Sequence, residues 1–402
     1  MKVLIIGNGA AAISGARALR QLNKDWEIEL VADEVHPFYS RVMLPEYLAG
    51  RVSQEDLYLV DWDFYQKLNI KVTLGTRIEA LEPTLARAVT ASGEKIDYDL
   101  LLIAAGARPV LPEVEGANLQ GVFTLRTIAD VEAMGRYLES THVERAIIVG
   151  GGLVSLRSAE AFRKLGISVT IVVSSGRLMS QTLDEASAQA LLRAVREAGC
   201  EVLFNEDVTA FHGDVHLRGA ELASGGRVVG QLALIGKGVR PRLSLVPGTS
   251  IAVDRGILVD EYLQTSIPGI YAAGDVVQAY DLIRKGKVCN GIWPSAVRQG
   301  RIAGWNMAGL GVRDDGDIPM NAVHLFGCSI CSLGALTGDE THVRGSFQED
   351  NYRKLVFSRS QLVGALFWGN LRDAGRYYWL LRTGRNPNGR TPPVWAWEKL
   401  RS

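Results

Sequence analysis

The strongest constraint on the fold is a glycine-rich turn that occurs twice, each time between an apolar strand and a helix. In the first copy, the β-branched run Val3 to Ile6 meets the turn GNGAAA at 7–12, and a helical pattern continues to about Leu22. A second strand, Ile28 to Ala32, then ends at two acids, residues 33 and 34. Strand, glycine turn, helix, strand and acid, in this order, predict a Rossmann-like unit that binds a dinucleotide.

Each small residue of the first turn has a separate physical role. Gly7 permits the tight turn, Gly9 lets the backbone approach a pyrophosphate, and Ala12 lets the helix pack closely on the strand. The helix N-terminus supplies free N–H groups and a positive dipole end to phosphates. Asp33 and Glu34 are placed to accept hydrogen bonds from ribose hydroxyls.

The second copy follows about 140 residues later. Arg145 to Val149 reads as a strand, GGGLVS at 150–155 as the turn, and a helix runs to near Leu165 before the strand Val169 to Val173. The duplication predicts two nucleotide sites, or one site and a relic. Its three turn positions are Gly150, Gly152 and Ser155.

The rest of the chain connects these two units. Two further apolar strands, Leu100 to Ala104 and Leu232 to Ile235, each end in a glycine turn followed by proline, which is typical of a crossing between domains. The segment TSIPGIYAAGDVV at 265–277 reads as a buried strand that runs into Gly274-Asp275. The last 80 or so residues alternate short strands and then form a Trp/Tyr-rich helix and a Pro-rich tail. We expect an α/β fold with two Rossmann-like domains and a C-terminal α+β interface domain.

Composition excludes several other classes. The chain has 44 basic and 44 acidic residues, so no overall field favours nucleic acid. No apolar run reaches the roughly 18 residues of a membrane span, and four cysteines suit a reducing compartment. Cys328 and Cys331 form a C-x-x-C in a predicted strand, where positions three apart point to opposite faces. We therefore expect a cytoplasmic protein with no metal site.

Four segments together resemble a known superfamily. Their order along the chain is typical of flavoproteins with two dinucleotide-binding domains. The segments are GNGAAA at 7–12, IAAGARP at 103–109, VGGGLVSLRSAEAF at 149–162 and TSIPGIYAAGDV at 265–276. HPFYSRVMLPEYLAG at 36–50 is similar to the segment found in NADH:rubredoxin reductases, oxygenase-type ferredoxin reductases and the flavoprotein region of assimilatory nitrite reductases. The resemblance covers essentially the whole chain. It implies an FAD-binding domain in two parts (1–112 and 242–315), an NAD(P)-binding domain (113–241) and an interface domain (316–402).

The resemblance also implies which residues contact FAD. Gly7, Gly9 and Ala12 would hold the pyrophosphate, and Asp33 and Glu34 the adenosine ribose. Arg41 would lie along the phosphates or ribityl chain, the Ile78 backbone would meet the adenine, and Asp275 would bond the ribityl or pyrophosphate. Trp293 would lie near the flavin ring, or else be a core aromatic. The remaining FAD contacts that the resemblance implies are Ala105, Gly106 and Arg126.

The chain departs from the family at informative positions. Ser155 stands where the third glycine is usual, and Arg157 where the family has glutamate. Leu44-Pro45-Glu46 replaces leucine-serine-lysine, so the charges at positions 46 and 157 are both reversed. In relatives these two positions face each other over the flavin. We therefore name Glu46 and Arg157 as catalytic candidates, an ion pair of inverted polarity; the alternative is two unrelated surface changes.

The sequence leaves the identity of the nicotinamide donor, NADH or NADPH, open. No acid lies near Val173, where an NADH-binding domain normally carries one, and Ser174, Ser175 and Arg177 follow. This tilts the prediction slightly towards NADPH over NADH, and a third alternative is that the pocket no longer binds nicotinamide. Gly236, at the end of a neighbouring strand, completes the cofactor-binding candidates.

The function expected is electron transfer from NAD(P)H through FAD to a small redox protein: rubredoxin, ferredoxin or another iron–sulfur partner. The alternatives are an electron-relay subunit of a larger complex with a degenerate nicotinamide site, and a flavin NAD(P)H oxidase. Disulfide or peroxide chemistry is disfavoured because residues 40–50 contain no cysteine. The C-terminal aromatics suit a docking surface, a homodimer contact or core packing: Tyr377, Tyr378, Trp379, Trp395 and Trp397.

Overall fold

The computed structural model describes residues 1–384 of the chain. Side-chain caps start three of the helices: Asp61, Thr127 and Asp184 each accept a hydrogen bond from the backbone N–H three residues further on. The α-helices, in chain order, are α1 Ala10–Leu22, α2 Leu44–Leu48, α3 Trp62–Lys67, α4 Ile128–Ser140, α5 Leu153–Lys164, α6 Glu185–Glu197, α7 Trp293–Met307 and α8 Ala374–Thr383.

The strands are short, as expected for a chain with two Rossmann-like units and small antiparallel sheets. In chain order they are β1 Lys2–Ile6, β2 Glu27–Val31, β3 Ile70–Thr73, β4 Ile78–Glu82, β5 Arg87–Thr90, β6 Lys95–Asp97, β7 Leu100–Ile103, β8 Ala107–Pro109, β9 Val122–Phe123, β10 Arg145–Val149, β11 Ser168–Val173, β12 Cys200–Phe204, β13 Val208–Gly213, β14 Leu217–Leu222, β15 Arg227–Val229, β16 Leu232–Ile235, β17 Val239–Pro241, β18 Ile257–Leu258, β19 Ile270–Ala272, β20 Val277–Asp281, β21 Gly286–Val288, β22 Met320–Leu325, β23 Cys328–Gly334, β24 Glu340–Arg344, β25 Arg353–Ser358 and β26 Gln361–Trp368.

The first compact unit consists of Met1–Arg41, Gln54–Arg108 and Val239–Asp317. Its central sheet has the order β19-β7-β1-β2-β3, and the pairs within it are parallel. The strands β1 and β7 are buried almost completely, which explains their unbroken runs of Leu, Ile and Val. This sheet is the first of the two Rossmann-like sheets that the sequence predicts.

Helices α1 and α7 of the first unit pack backbone to backbone. A Cβ on Gly300 would lie 2.1 Å from the carbonyl oxygen of Ala11, and one on Gly304 would lie 2.5 Å from that of Gly15. Glycine is therefore needed at both positions of α7. This contact fixes the position of the first turn of α1, where the first glycine turn ends.

The second compact unit consists of Val42–Ser53, Pro109–Gly238 and the chain from Ile318 onward. It contains a parallel sheet of order β12-β11-β10-β16-β9 and an antiparallel sheet of order β22-β23-β26-β25-β24. Helix α2 contacts α4 and α5, and α8 packs against β26 and β23. The grouping of Val42–Ser53 with this unit is not indicated by the sequence, and the four-part domain division stays a prediction.

The predicted fold class, with its two Rossmann-like sheets and C-terminal α+β region, is confirmed. The segment 265–277, predicted as a buried strand running into Gly274-Asp275, contains the buried strand β19, which ends two residues before Gly274. Only β19 (Ile270–Ala272) lies inside that segment, and β20 begins at Val277. Gly269 (φ +79°) and Gly274 (φ +83°) take left-handed conformations that end an extended strand.

No helix within residues 1–384 is both long and apolar enough to cross a membrane. The Pro-rich tail with Trp395 and Trp397 lies outside the described residues.

Candidate active site

The first glycine turn has the geometry of a dinucleotide cradle. Gly7 has φ +110°, its N–H donates to the Val31 carbonyl at 2.8 Å, and a Cβ there would lie 2.3 Å from the carbonyl oxygen of Ala104. Gly9, which caps α1 without a side-chain hydrogen bond, has open space instead: a Cβ would meet no described atom within 4 Å. Ala12 is fully buried. This space in front of the α1 N-terminus fits a pyrophosphate.

The second glycine turn repeats this geometry. Gly150 has φ +117°, its N–H donates to the Val172 carbonyl at 2.8 Å, and a Cβ would lie 2.5 Å from the carbonyl oxygen of Gly236. A Cβ on Gly152 would again meet no described atom within 4 Å. The backbone of the second cradle is therefore as well formed as that of the first.

Ser155, the departure from the third glycine, is accommodated locally. Its side chain is fully buried, and its Oγ donates to the Gly236 carbonyl at 3.3 Å. A Cβ on Gly236 would lie 2.1 Å from that Oγ. The absence of a side chain at Gly236 makes room for the hydroxyl, so the serine does not distort the turn.

The acids after β2 are held by arginines of the same unit. Tyr39 Oη donates to Glu34 at 2.5 Å, Arg41 forms an ion pair with Glu34, and Arg242 pairs with Asp33 at 2.5 Å. Burial opposes the charge of Arg41, but the charges of Glu34, Tyr39 and Asp33 and the hydrogen bond to Glu34 together raise the pKa of the guanidinium. These contacts orient the two carboxylates at the strand end where a ribose would lie.

The corresponding positions of the second cradle carry serine. Val31 and Val172 are equivalent because each accepts the N–H of the first turn glycine, so Asp33 corresponds to Ser174. Ser174 is exposed. Arg177 is bonded within its own loop, since Nη2 donates to the Ser180 carbonyl at 3.1 Å and Nη1 lies 3.9 Å from Glu185.

A buried network that the sequence did not indicate supports the turn before Asp275. The N–H of Gly274 donates to Gln299 Oε1 at 2.9 Å, and Gln299 Nε2 donates to Asp317 at 3.0 Å. Arg298 donates to the same Asp317 at 2.7 Å. The consecutive Arg298 and Gln299 on α7 thereby fix the backbone next to the half-buried Asp275.

The other predicted FAD contacts are placed individually. Trp293 is the first residue of α7 and stacks on Phe38, with ring centroids 5.4 Å apart. Ile78 is buried at the start of β4, and Ala105 and Gly106 lie in the short connection between β7 and β8. Arg126 lies in the second unit, where its N–H donates to Asp130 in the capping box of α4.

Glu46 and Arg157 are in direct contact. Arg157 Nη2 donates to Glu46 Oε1 at 2.5 Å, and the two side chains are 21% and 14% exposed, respectively. Arg51 forms a second ion pair with Glu46, and Arg157 Nη1 lies 3.5 Å from Glu160. Four charges therefore alternate in sign along one chain, Arg51–Glu46–Arg157–Glu160, which we call the charge chain.

The charge chain ends on the hairpin between β22 and β23. The N–H of Phe326 donates to Glu160 Oε1 at 2.7 Å, and Arg157 Nη1 donates to the His324 carbonyl at 3.1 Å. Phe326 (φ +48°) and Gly327 (φ +79°) form a two-residue turn in which a left-handed phenylalanine is unfavourable. Sequence reasoning missed Arg51, Glu160 and Phe326; the i, i+3 spacing of Arg157 and Glu160 on α5 was the available signal.

The two cysteines of the C-x-x-C segment do not form a disulfide. Burial is the main cause that raises the pKa of Cys328 and of Cys331 to about 11, and both thiols are free. Within the described part of the chain, no group of three or more His, Cys, Asp or Glu side chains is arranged to hold a metal ion.

The two cradles define the class of protein, and comparison with known families agrees. Residues 1–300 match the family model described as pyridine nucleotide-disulphide oxidoreductase, and 319–385 match the rubredoxin NAD+ reductase C-terminal domain. The chain belongs to this pyridine nucleotide-disulphide oxidoreductase family. It is an NAD(P)H-dependent oxidoreductase that binds FAD.

Individual relatives refine the comparison. The chain is 32% identical to the NADH-dependent phenylglyoxylate dehydrogenase subunit epsilon of Aromatoleum evansii, over 92% of this chain and 88% of the relative. It is 31% identical to the biphenyl dioxygenase system ferredoxin–NAD(+) reductase component of Paraburkholderia xenovorans, over 86% and 84%. It spans 48% of the assimilatory nitrate reductase electron transfer subunit of Bacillus subtilis, at 27% identity.

A solved structure shows the same fold over the full length. The ferredoxin reductase for the CYP199A2 system from Rhodopseudomonas palustris superimposes with a TM-score of 0.91, covering 100% of both chains at 23% identity. The resemblance to ferredoxin and rubredoxin reductases is thereby confirmed at the level of fold and family.

Proposed function

We propose that this chain passes electrons from NAD(P)H through FAD to a small redox protein of the rubredoxin, ferredoxin or iron–sulfur type. The observation that carries the proposal is the preservation of both glycine cradles in one chain, each with open space at the second glycine. A relay subunit without a nicotinamide site would have no need of the second cradle.

The first cradle fits FAD by its own geometry. The N-terminus of α1 would hold the pyrophosphate, Glu34 and Asp33 would bind the adenosine ribose, and Asp275 would bind the ribityl or pyrophosphate. The chemistry that FAD supplies when bound is acceptance of a hydride from NAD(P)H and release of single electrons. In the second unit, Gly150, Gly152 and Ser155 would bind the nicotinamide dinucleotide, and Glu46 and Arg157 stay the proposed charged pair of the active site.

Membership in a larger complex is the second candidate. Two relatives are named as subunits: the epsilon subunit from Aromatoleum evansii and the electron transfer subunit from Bacillus subtilis. In such a complex the acceptor would be an iron–sulfur subunit instead of a freely diffusing protein.

Anaerobic titration of the purified protein tests the proposal. We expect NADH or NADPH to bleach the flavin absorbance, and an added rubredoxin or [2Fe–2S] ferredoxin to restore it. A flavin that dithionite reduces but that neither nicotinamide reduces would overturn the donor assignment. Reduced flavin that reacts with dioxygen but with neither protein acceptor would favour an oxidase.

The donor preference gives a separate prediction. Because Ser174 replaces the acid that would bind the 2′- and 3′-hydroxyls of NADH, we expect kcat/KM for NADPH to be at least equal to that for NADH. Ser174→Asp should repel the 2′-phosphate and shift the ratio about tenfold or more towards NADH, which is roughly 1.4 kcal/mol. Ser168→Asp, a change at a residue that is also exposed, at the other end of β11, is the control. An unchanged ratio in Ser174→Asp would contradict the assignment.

A further inference from the structure

The loop that follows β11 packs directly on the second glycine turn. Residues 174–184 form neither helix nor strand, and they begin at Ser174, the position that corresponds to the first acid after β2. In the middle of this loop, the N–H of Met179 donates to the carbonyl oxygen of Gly151 at 2.9 Å. Leu178 is fully buried, and a Cβ on Gly151 would lie 3.4 Å from its side chain. The loop and the turn of the second cradle therefore fix each other.

Met179 has an unfavourable backbone conformation in this loop. Its φ is +49°, in the left-handed region that a residue with a Cβ rarely adopts. Its carbonyl oxygen accepts the N–H groups of Thr182 and Leu183, at 2.8 and 2.9 Å. Such a conformation persists only where the surrounding contacts enforce it. The shape of the loop therefore depends on what fixes its ends.

Asp184 fixes the end of the loop to two elements at once. Its Oδ1 accepts the N–H of Ser187 at 3.0 Å and so caps α6. Its Oδ2 accepts from Lys354 Nζ at 3.0 Å and from Tyr352 Oη at 3.3 Å. Lys354 lies on β25, and Tyr352 lies directly before that strand. The C-terminal antiparallel sheet thus holds the residue at which the loop ends.

The contacts of Asp184 with the sheet are shielded from solvent. The side chains of Lys354 and Asp184 are 15% and 14% exposed, and Tyr352 is buried with its ring stacked on Phe347. Burial opposes the charge of Asp184, but the hydrogen bonds from Ser187 and Lys354 and the charge of Lys354 together lower the pKa of the carboxyl group. Desolvation offsets much of the attraction in such a pair, so that its main effect is to select one arrangement.

We propose that Lys354 and Tyr352 are positioning residues for the adenosine half of the nicotinamide donor. Through Asp184 they hold the 174–184 loop, and with it Ser174, at the strand end where the adenosine ribose binds. The C-terminal sheet thereby sets the affinity of the second cradle for the dinucleotide. This inference rests on the proposed function, since it takes the second cradle as the site of the donor.

The test follows flavin reduction in the full-length holoenzyme under anaerobic conditions. The donors are whichever of NADH and NADPH the wild type binds more tightly, and reduced nicotinamide mononucleotide, which lacks the adenosine. We expect Lys354→Met to raise the apparent Kd of the dinucleotide about tenfold and Tyr352→Phe about threefold, with the limiting rate constant of reduction unchanged. The second-order rate constant with the mononucleotide should stay unchanged, because this donor has no adenosine to meet the loop.

Arg353→Met is the matched control. Arg353 precedes Lys354 on β25 and donates to Asp373 at 2.6 Å, so this substitution also removes an ion pair of the sheet, but one that does not involve the 174–184 loop. We expect it to leave the Kd of the dinucleotide near the wild-type value. Lys354→Arg, which keeps the charge and a donor, should do the same. The midpoint of urea unfolding and the flavin content show whether each variant is folded.

The outcomes separate this inference from the proposed function. A wild-type flavin that dithionite reduces but that neither dinucleotide reduces would overturn both. Wild-type Kd values in Lys354→Met and Tyr352→Phe, in a protein that the dinucleotide does reduce, would overturn the positioning role alone. An equal loss with the mononucleotide, or an equal rise of Kd in the Arg353→Met control, would show that the sheet supports the whole unit, and the positioning role would fail. If Lys354→Met does not fold, the Kd of Tyr352→Phe decides.

Discussion

Gly7→Ala will prevent the first unit from folding around FAD, whereas Gly9→Ala will fold normally and lose FAD affinity. A Cβ at residue 7 would lie 2.3 Å from the Ala104 carbonyl oxygen at a φ of +110°, so the strand β7 must move. Such backbone strain and overlap should cost about 3 kcal/mol or more in the free energy of unfolding. At residue 9 the φ is −100° and a Cβ meets no described atom within 4 Å, so alanine costs the fold little.

The two variants therefore separate folding from binding. Urea denaturation of the apoprotein and the flavin content after purification are the two measurements. We expect the Gly9→Ala methyl group to occupy the space of the pyrophosphate and to weaken FAD binding about 100-fold or more. Gly150→Ala and Gly152→Ala form the matched pair in the second unit, where FAD content should persist and nicotinamide binding should fall. Full FAD occupancy in Gly9→Ala would show that the dinucleotide does not approach this turn.

Arg157→Glu will destabilise the second unit strongly, because it breaks the charge chain at its centre. The substituted glutamate would lie beside Glu46 and Glu160, whose side chains are each 14% exposed, and would withdraw the donor to the His324 carbonyl. Breaking a largely buried ion pair and leaving its partner charged costs about 3 kcal/mol or more. The midpoint of urea unfolding measures this loss, and Arg193→Glu on the exposed side of α6 should change the free energy of unfolding by less than about 0.5 kcal/mol.

Restoring the polarity usual in the family should not rescue this variant. In the double variant Glu46→Lys with Arg157→Glu, the new lysine would meet Arg51 and the new glutamate would meet Glu160. The flanking charges of Arg51 and Glu160 fit the present polarity of the pair. We expect the double variant to recover less than half of the lost free energy of unfolding. Full recovery of the free energy of unfolding would show that the charges of Arg51 and Glu160 do not favour the present polarity of the Glu46–Arg157 pair.

The sequence by itself determined the two βαβ units and the turns between their elements. These features are local, since each depends on residues close along the chain. They are the strand periodicity, the helical periodicity and the need for glycine at positions 7 and 150. The bounds of β10 and β16 follow the apolar runs directly. Family resemblance then supplied FAD and NAD(P)H, which local patterning alone does not distinguish from other dinucleotides.

Only the tertiary structure decided which distant side chains meet. Glu46 and Arg157 lie 111 positions apart, and Glu160 and Phe326 lie 166 apart, so no sequence period links them. The hydrogen bonds that join Gln299 to Gly274, next to Asp275, and to Asp317 likewise link residues 25 and 18 positions apart. Tyr377 is buried and Trp379 is exposed because one face of α8 contacts β23 and β26 and the other faces solvent. Ion pairs and exposure are properties of three-dimensional packing, whereas turns and strands are largely properties of the local chain.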